Sequence, residues 1–377
     1  MLKPGDIDQL CRDRGWTRTR LVHALRSAAQ RRDDALPADD SLRRMVRQWV
    51  SGTRQPSPLY ASLLADVFGV PFGPPGPPAP EPESSTMDEL DERLSRAAAV
   101  DQDVVVLLQD QTQSLRSLDR RLGAAQLHTQ SRAHVDQMAG LLPYATGSGT
   151  RAQLAGAVAQ AASLAGWQAL DMGLEREAWL LHEQARAAAH ECDDPATLAH
   201  VTAQQACVLI DLDRVDEASR VVERAATAAG SRIPGLLRAW LWALYAETRA
   251  AAGDEPRTRR ALERADALLA GTDSIDLPFL FLDGTHLARW RGHCLARLGA
   301  EEAITHLTQA AEALDPTFVR AGAGLHCDLA AALTAAGELD AAEAEVGRAQ
   351  ALASLTTSTR QQRRVARAAA AIDSRRL

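Results

Sequence analysis

Almost no lysine, few aromatic rings and no long apolar run mark this chain of 377 residues, in which Lys3 is the only lysine and 4% of residues are Phe, Trp or Tyr. With 46% hydrophobic residues and so few rings, apolar content falls to alanine and leucine, which favours helices over sheet. An all-α protein is expected. No run approaches the roughly 20 apolar residues that span a bilayer, and the first twenty residues hold no signal-peptide core. Membrane insertion is therefore not expected, and the chain reads as cytoplasmic. The five cysteines, Cys11, Cys192, Cys207, Cys294 and Cys327, lack the paired spacing of a disulfide scaffold. His293-Cys294 and His326-Cys327 invite a metal, but adjacent helical residues point about 100° apart and no C-x-x-C accompanies them, so none is expected. The motifs G-x-x-x-x-G-K-[ST], H-E-x-x-H and G-x-S-x-G are missing as well. Neither catalysis nor a cofactor is expected.

What is present is a repeat. Helix-ending residues stand at Gly173, Asp213, Gly253, Gly299 and Gly337, and seven positions before them stand the small residues Gly166, Ala206, Ala246, Gly292 and Ala330. Twelve positions after come Ala185, Ala225, Ala265 and Ala349, with Ala310 and Ala311 at eleven and twelve in the fourth unit. A further alanine follows the turn at Ala178, Ala218, Ala303 and Ala342, with Thr258 as the exception. Only small residues fit where two helices cross closely, and Gly or Asp between alanine-rich runs stops one helix before the next begins. Each unit is a helical hairpin. This spacing, with segments such as Leu298-Gly299-Ala300-Glu301-Glu302-Ala303-Ile304, resembles the tetratricopeptide repeat, at a longer period of about forty. Residues 150–377 are thus expected to form an α-solenoid, closed by a capping helix at 359–372 that hides its last apolar face.

Charge divides the chain. Residues 1–72 hold 12 Lys and Arg against 8 Asp and Glu, whereas the remainder holds 30 against 41. A basic head on an acidic body suits one end that meets phosphate. Short helices are expected at 6–14, 17–25, 40–50 and 58–68, closing a small core with Leu21, Leu25, Leu42, Val46, Trp49 and Phe68. Trp49-Val50-Ser51-Gly52-Thr53-Arg54-Gln55-Pro56, with glycine three and proline seven positions after the tryptophan, resembles the Xre-type helix-turn-helix regulators. Gly15-Trp16-Thr17 and the segment Leu63 to Val70 fall where that family ends its first helix and forms its fourth.

That resemblance implies that the helix ahead of Trp49 enters the major groove of double-stranded DNA. Ser41, Arg43, Arg44 and Arg47 would then lie on the reading helix, Arg54 beyond it on phosphate, and Thr17, Arg18 and Arg20 at the start of the second helix on the DNA backbone. The alternative is that these arginines form a solvated face paired with Asp39, Asp40 and Asp66. The departure from the family is an insertion from Arg26 to Asp39, with Asp40 or Ser41 expected as N-cap of the reading helix.

Residues 73–87 are rich in Pro and Gly and read as a linker; about fourteen residues of extended polyproline reach roughly 40 Å, enough for two heads of a homodimer to span half-sites. Residues 88–145 form a helical connector in which Leu108, Leu115 and Leu122 serve either as a dimer seam or as packing onto the first repeat.

If the repeat register holds, family geometry points Gln160, Ser163, Trp167, Asp171, His200, Asp211, Trp240, Glu247, His286, Arg289, His293 and Arg297 into the concave groove. The reading is a DNA-binding transcriptional regulator whose groove senses a peptide, a small molecule or a protein partner; the alternative is a tetratricopeptide-type interaction scaffold with a head that does not bind DNA. Trp167, Asp171, His200, Asp211, Trp240, Glu247, Arg289, His293 and Arg297 are the expected ligand-binding set.

Overall fold

A computed structural model describes residues 6–32, 34–70, 91, 94–95, 99–271 and 277–376. The linker expected at 73–87 lies outside the described residues. The chain divides into two compact units, residues 1–90 and 91–377.

In the first unit four helices, α1 (Asp6–Asp13), α2 (Arg18–Arg31), α3 (Asp39–Val50) and α4 (Pro58–Phe68), close on Leu21, Leu25, Leu42, Val46, Trp49, Leu63, Leu64 and Phe68. Two details differ from the sequence reading. The first part of the insertion is helical, because α2 runs on to Arg31 and buries Ala28 and Ala29 in its extra turns. Helix α3 begins at Asp39 after Ala38, with no side-chain cap bond from Asp40 or Ser41. Asp39 instead accepts from Arg26, which also donates to the Pro37 carbonyl at 2.6 Å, so the connection between α2 and α3 is pinned by one guanidinium.

In the second unit α5 (Gln102–Leu122) and α6 (His128–Leu141) pack on α7 (Ser148–Asp171). Five hairpins follow: α7 with α8 (Glu175–Ala189), α9 (Pro195–Asp211) with α10 (Val215–Ala229), α11 (Gly235–Ala251) with α12 (Glu255–Ala270), α13 (Gly284–Arg297) with α14 (Glu302–Ala313), and α15 (Val319–Ala336) with α16 (Leu339–Leu355). Helix α17 (Thr359–Arg376) ends the stack against α15 and α16.

All five turn residues adopt positive φ, Gly173 at 74°, Asp213 at 59°, Gly253 and Gly299 at 72° and Gly337 at 86°. That backbone region strains most L side chains and suits Gly or Asp. The small residues seven positions earlier are all buried. At Gly292 a Cβ would lie 2.5 Å from Leu307 Cγ on the partner helix, and at Gly166 it would lie 2.9 Å from the His182 ring, so these two crossings admit no side chain. The fourth hairpin uses Ala310, 1% exposed, as its buried alanine.

Leu108 and Leu115 are buried within this unit, Leu115 beside Leu127 and Leu164, while Leu122 stays 47% exposed. A seam through all three leucines is therefore replaced by packing onto the first hairpin. Among the described residues no helix is long and apolar enough to cross a membrane.

The stack also bends back on itself. Helix α17 touches α7, and α15 touches α5, although these elements stand about 200 residues apart in sequence. Arg320 of α15 donates to Asp119 of α5 and, at 3.2 Å, to Asp171 of α7. Ser358 donates to Asp171 at 2.5 Å, Arg360 to both oxygens of Asp211 at 2.6 and 2.8 Å, and Arg363 to Glu175 at 2.6 Å. Gly123, at φ 85°, brings its backbone so close to Thr356 that any Cβ would collide with it.

Candidate functional site

On the first unit Arg43, Arg44, Arg47 and Arg54 are exposed, as are Thr17, Arg18 and Arg20, while Ser41 is half-buried. Leu42, Val46 and Trp49 turn the opposite face of α3 into the core, so the arginines project outward by helical period. Thr17 caps α2 by accepting from the Arg20 amide at 3.3 Å. Two acids that the arginines could have paired with are taken elsewhere: Asp39 by Arg26, and Asp66 by Arg32 at 2.8 Å. Arg43 reaches Asp40 only at 3.9 Å, Arg18 reaches Asp8 at 3.7 Å and Arg20 lies over the Trp16 ring at 5.5 Å. Among the described residues Arg44, Arg47 and Arg54 have no carboxylate partner.

On the second unit the bend of the stack encloses a cavity of about 640 Å³. Trp167, His200, Asp211, Trp240, Glu247, Arg289, His293 and Arg297 line it together, with Gln160 and Ser163 beside them. Asp171 does not line it. It is 1% exposed, lies beneath the wall, and is held by Arg320 and Ser358, because the bend covers the position that an open groove would have shown. His286 is also displaced from the lining: Asp283 binds its Nδ1 at 2.9 Å, and Phe281 and Phe318 cover its ring.

Sequence reasoning missed the other half of the wall. Gln113, Arg116, Asp119 and Arg120 come from α5, Arg320 and Gly324 from α15, and Arg360, Gln361, Arg364 and Arg367 from α17. The spacing of Arg360, Arg364 and Arg367 on one helical face was a signal for a basic wall, but only long-range packing says which cavity it meets. In the apolar connection between α12 and α13, residues 272–276 lie outside the described residues. Leu277 to Phe281 both line the cavity and bridge hairpins, with Phe279 stacked on His200 at 4.6 Å and Phe281 on Phe318 at 4.7 Å.

The charges are unevenly satisfied. Asp119 and Asp211 hold Arg320 and Arg360, and Arg364 donates to Asp328 at 2.5 Å. Glu247 accepts from the Trp290 indole at 2.8 Å and faces His293 Nε2 at 3.5 Å, while His293 Nδ1 lies 2.9 Å from Asp328. Burial opposes ionisation of Glu247, but the hydrogen bond and charge of His293, with Arg360 and Arg297, outweigh it and bring the carboxyl down to about 2. Burial likewise opposes the charge on His293, yet Asp328 and Glu247 hold its pKa above the ordinary histidine value. His200, ringed by Trp240 and Phe279, is pushed down to about 3 by burial and by Arg116, and is neutral near pH 7. Among the described residues no group of three or more His, Cys, Asp or Glu is placed to hold a metal ion.

No protein-family model matches the sequence. No curated protein matches it. Among solved structures the chain is similar to BtubC (BKLC) from P. vanneervenii, at 17% identity over 62% of this chain and 91% of that one, with a TM-score of 0.42. It is also similar to the nearly identical TPR-like repeats of a kinesin light chain protein from Podosopora anserina, at 18% identity over 51% of this chain and 93% of that one, with a TM-score of 0.35. The left-handed turns and close helix crossings by themselves make residues 148–376 a tetratricopeptide-like helical repeat.

Proposed function

We propose that the chain is a DNA-binding transcriptional regulator whose first unit reads double-stranded DNA and whose repeat cavity takes an effector. The observation that carries this reading is the outward set of Arg43, Arg44 and Arg47, left largely without counter-charge while neighbouring acids are engaged elsewhere. Guanidinium is suited to guanine edges and phosphate through its planar fork. The cavity supplies the second half of the reading, since its volume lies within the range of small-ligand sites, roughly 300–1,000 Å³. An effector acts on DNA affinity only through its differential binding to two states of the protein. A homodimer is part of the proposal, two heads on two half-sites.

A second reading, an interaction scaffold, is favoured by a different feature. A groove of about 760 Å³ on the outer side of the second and third hairpins is lined by Trp242, 38% exposed, with Tyr245 and four arginines. The two readings separate in one experiment: selection of genomic DNA fragments by the full chain, beside the Arg43→Ala/Arg44→Ala variant, at two salt concentrations. A shared two-fold-related site, lost in the variant, is the expected result. Failure to enrich any fragment would discard the regulator in favour of the scaffold.

A further inference from the structure

The cavity of the second unit holds more arginine than its acids can neutralise. Asp119, Asp211 and Glu247 each already hold Arg320, Arg360 or His293, and Asp213, the remaining acid of the lining, sits on an exposed hairpin tip. Arg116 and Arg289, by contrast, have no carboxylate partner among the described residues. Arg116 meets only the Gln113 side-chain oxygen, at 2.5 Å, and Arg289 Nε is buried with no hydrogen-bond partner. Burial lowers the pKa of both guanidiniums, that of Arg116 to about 10, and the nearby charges of Asp119 on Arg116 and of Asp328 and Glu247 on Arg289 offset it only in part. Both side chains are only partly buried, with Arg289 Nε the buried atom, and a partly desolvated charge without an ion-pair partner is relieved when a ligand supplies the opposite charge. Beside these charged and polar groups the lining has an aromatic part: Trp167, Phe279 and Phe281 present rings to the same space.

We infer that this cavity binds a small organic anion with a flat apolar body, its negative group on Arg289 and Arg116 and its ring against the aromatic wall. The inference deepens the effector half of the proposed function and rests on that cavity being the ligand site. His200 stays neutral between Trp240 and Phe279 and adds no repulsive or attractive charge, so selection of the anion falls to the arginines of the lining, Arg289 and Arg116 first among them. Arg320 and Arg360 keep their carboxylates and serve as fixed walls.

The test is calorimetric titration of the full chain, without DNA, with 2-naphthoate, 2-naphthalenesulfonate and adenosine monophosphate, against the neutral 2-naphthamide and adenosine and against inorganic phosphate. At least one aryl anion should bind once per chain, ten-fold or more tighter than its neutral partner and than phosphate. Arg289→Met should abolish that preference and, by removing a partly buried charge that makes no ion pair, raise the melting temperature of the ligand-free protein; a merely structural arginine would lower it. Arg289→Lys should keep part of the preference, and Arg116→Met carries the test should Arg289→Met not fold. Equal binding of neutral and anionic probes, no binding of any probe, or an undiminished preference in both methionine variants would overturn the inference. DNA selection is scored separately, so each can fail with the other intact.

Discussion

Gly292 shows how one missing methyl sets a repeat. Alanine inside a helix is worth about 1 kcal/mol over glycine, so Gly292→Ala should stabilise on propensity alone. Its Cβ, however, would lie 2.5 Å from Leu307 Cγ and 3.3 Å from the Leu307 amide, with Leu307 fully buried. Overpacking of that kind costs about 1–3 kcal/mol, so the expected net effect is destabilisation by about 1 kcal/mol, read from urea midpoints. Gly347 is the control, because nothing lies within 4 Å of its added Cβ and Gly347→Ala should gain about 1 kcal/mol. At His293 the same residue scale yields a pH dependence. Glu247 of α11 and Asp328 of α15 face it as acids, with Arg289 and Arg297 on its own helix and Arg360 and Arg364 from α17 as opposing cations. Its folded pKa lies above the ordinary value, so the stability it contributes is complete below about pH 6.5 and is lost as pH rises through the folded value. The stability difference between the protein and its His293→Gln variant should therefore shrink from pH 6 to pH 9; a difference that grows would contradict the charged assignment.

Helices and their turns were legible because their signals are local. The turn residues repeat where a chain must reverse, and the small residues repeat where helices must cross, so five hairpins could be placed from spacing alone. The start of α3 was not legible, since Arg26 draws Asp39 away from capping and the helix begins one residue before Asp40. Nor was the return of α15 and α17 to α5 and α7, which depends on pairs such as Arg320 with Asp119 that carry no sequence signal. That return is nonetheless held by buried ion pairs. Asp119 and Asp171 side chains are 4% and 1% exposed, and Arg320 is their shared cation. Removing one partner of a buried ion pair costs about 3–5 kcal/mol through the charge left behind. Arg320→Met should lose about that much in urea unfolding, and the triple change Arg320→Met/Asp119→Leu/Asp171→Leu should recover most of it. If the triple variant is no more stable than the single one, the carboxylates are not the source of the cost.

At the scale of the whole molecule, eight of the nine residues expected to bind ligand share one cavity, and they were findable because helical period fixes which side of each first helix faces inward. Asp171 was misplaced for a reason of shape, since an open groove and a stack bent back on itself expose different positions. The exposed arginines of the head lead to the broadest prediction. Each phosphate contact contributes about −0.9 to the slope of log affinity against log salt on duplex DNA, whereas a bidentate arginine on guanine contributes about 1–3 kcal/mol of discrimination. Arg54 lies beyond the end of α3, in the exposed turn after Gly52, and the proposed function assigns it to a phosphate rather than a base edge. Arg54→Ala should therefore flatten the slope by about 0.9 on any sequence, while Arg43→Ala/Arg44→Ala should erase the margin between the selected site and a scrambled duplex. Equal loss on both duplexes in the double variant, with the margin intact, would move those two arginines from the base edges to the phosphates and leave α3 as a clamp on DNA rather than its reader.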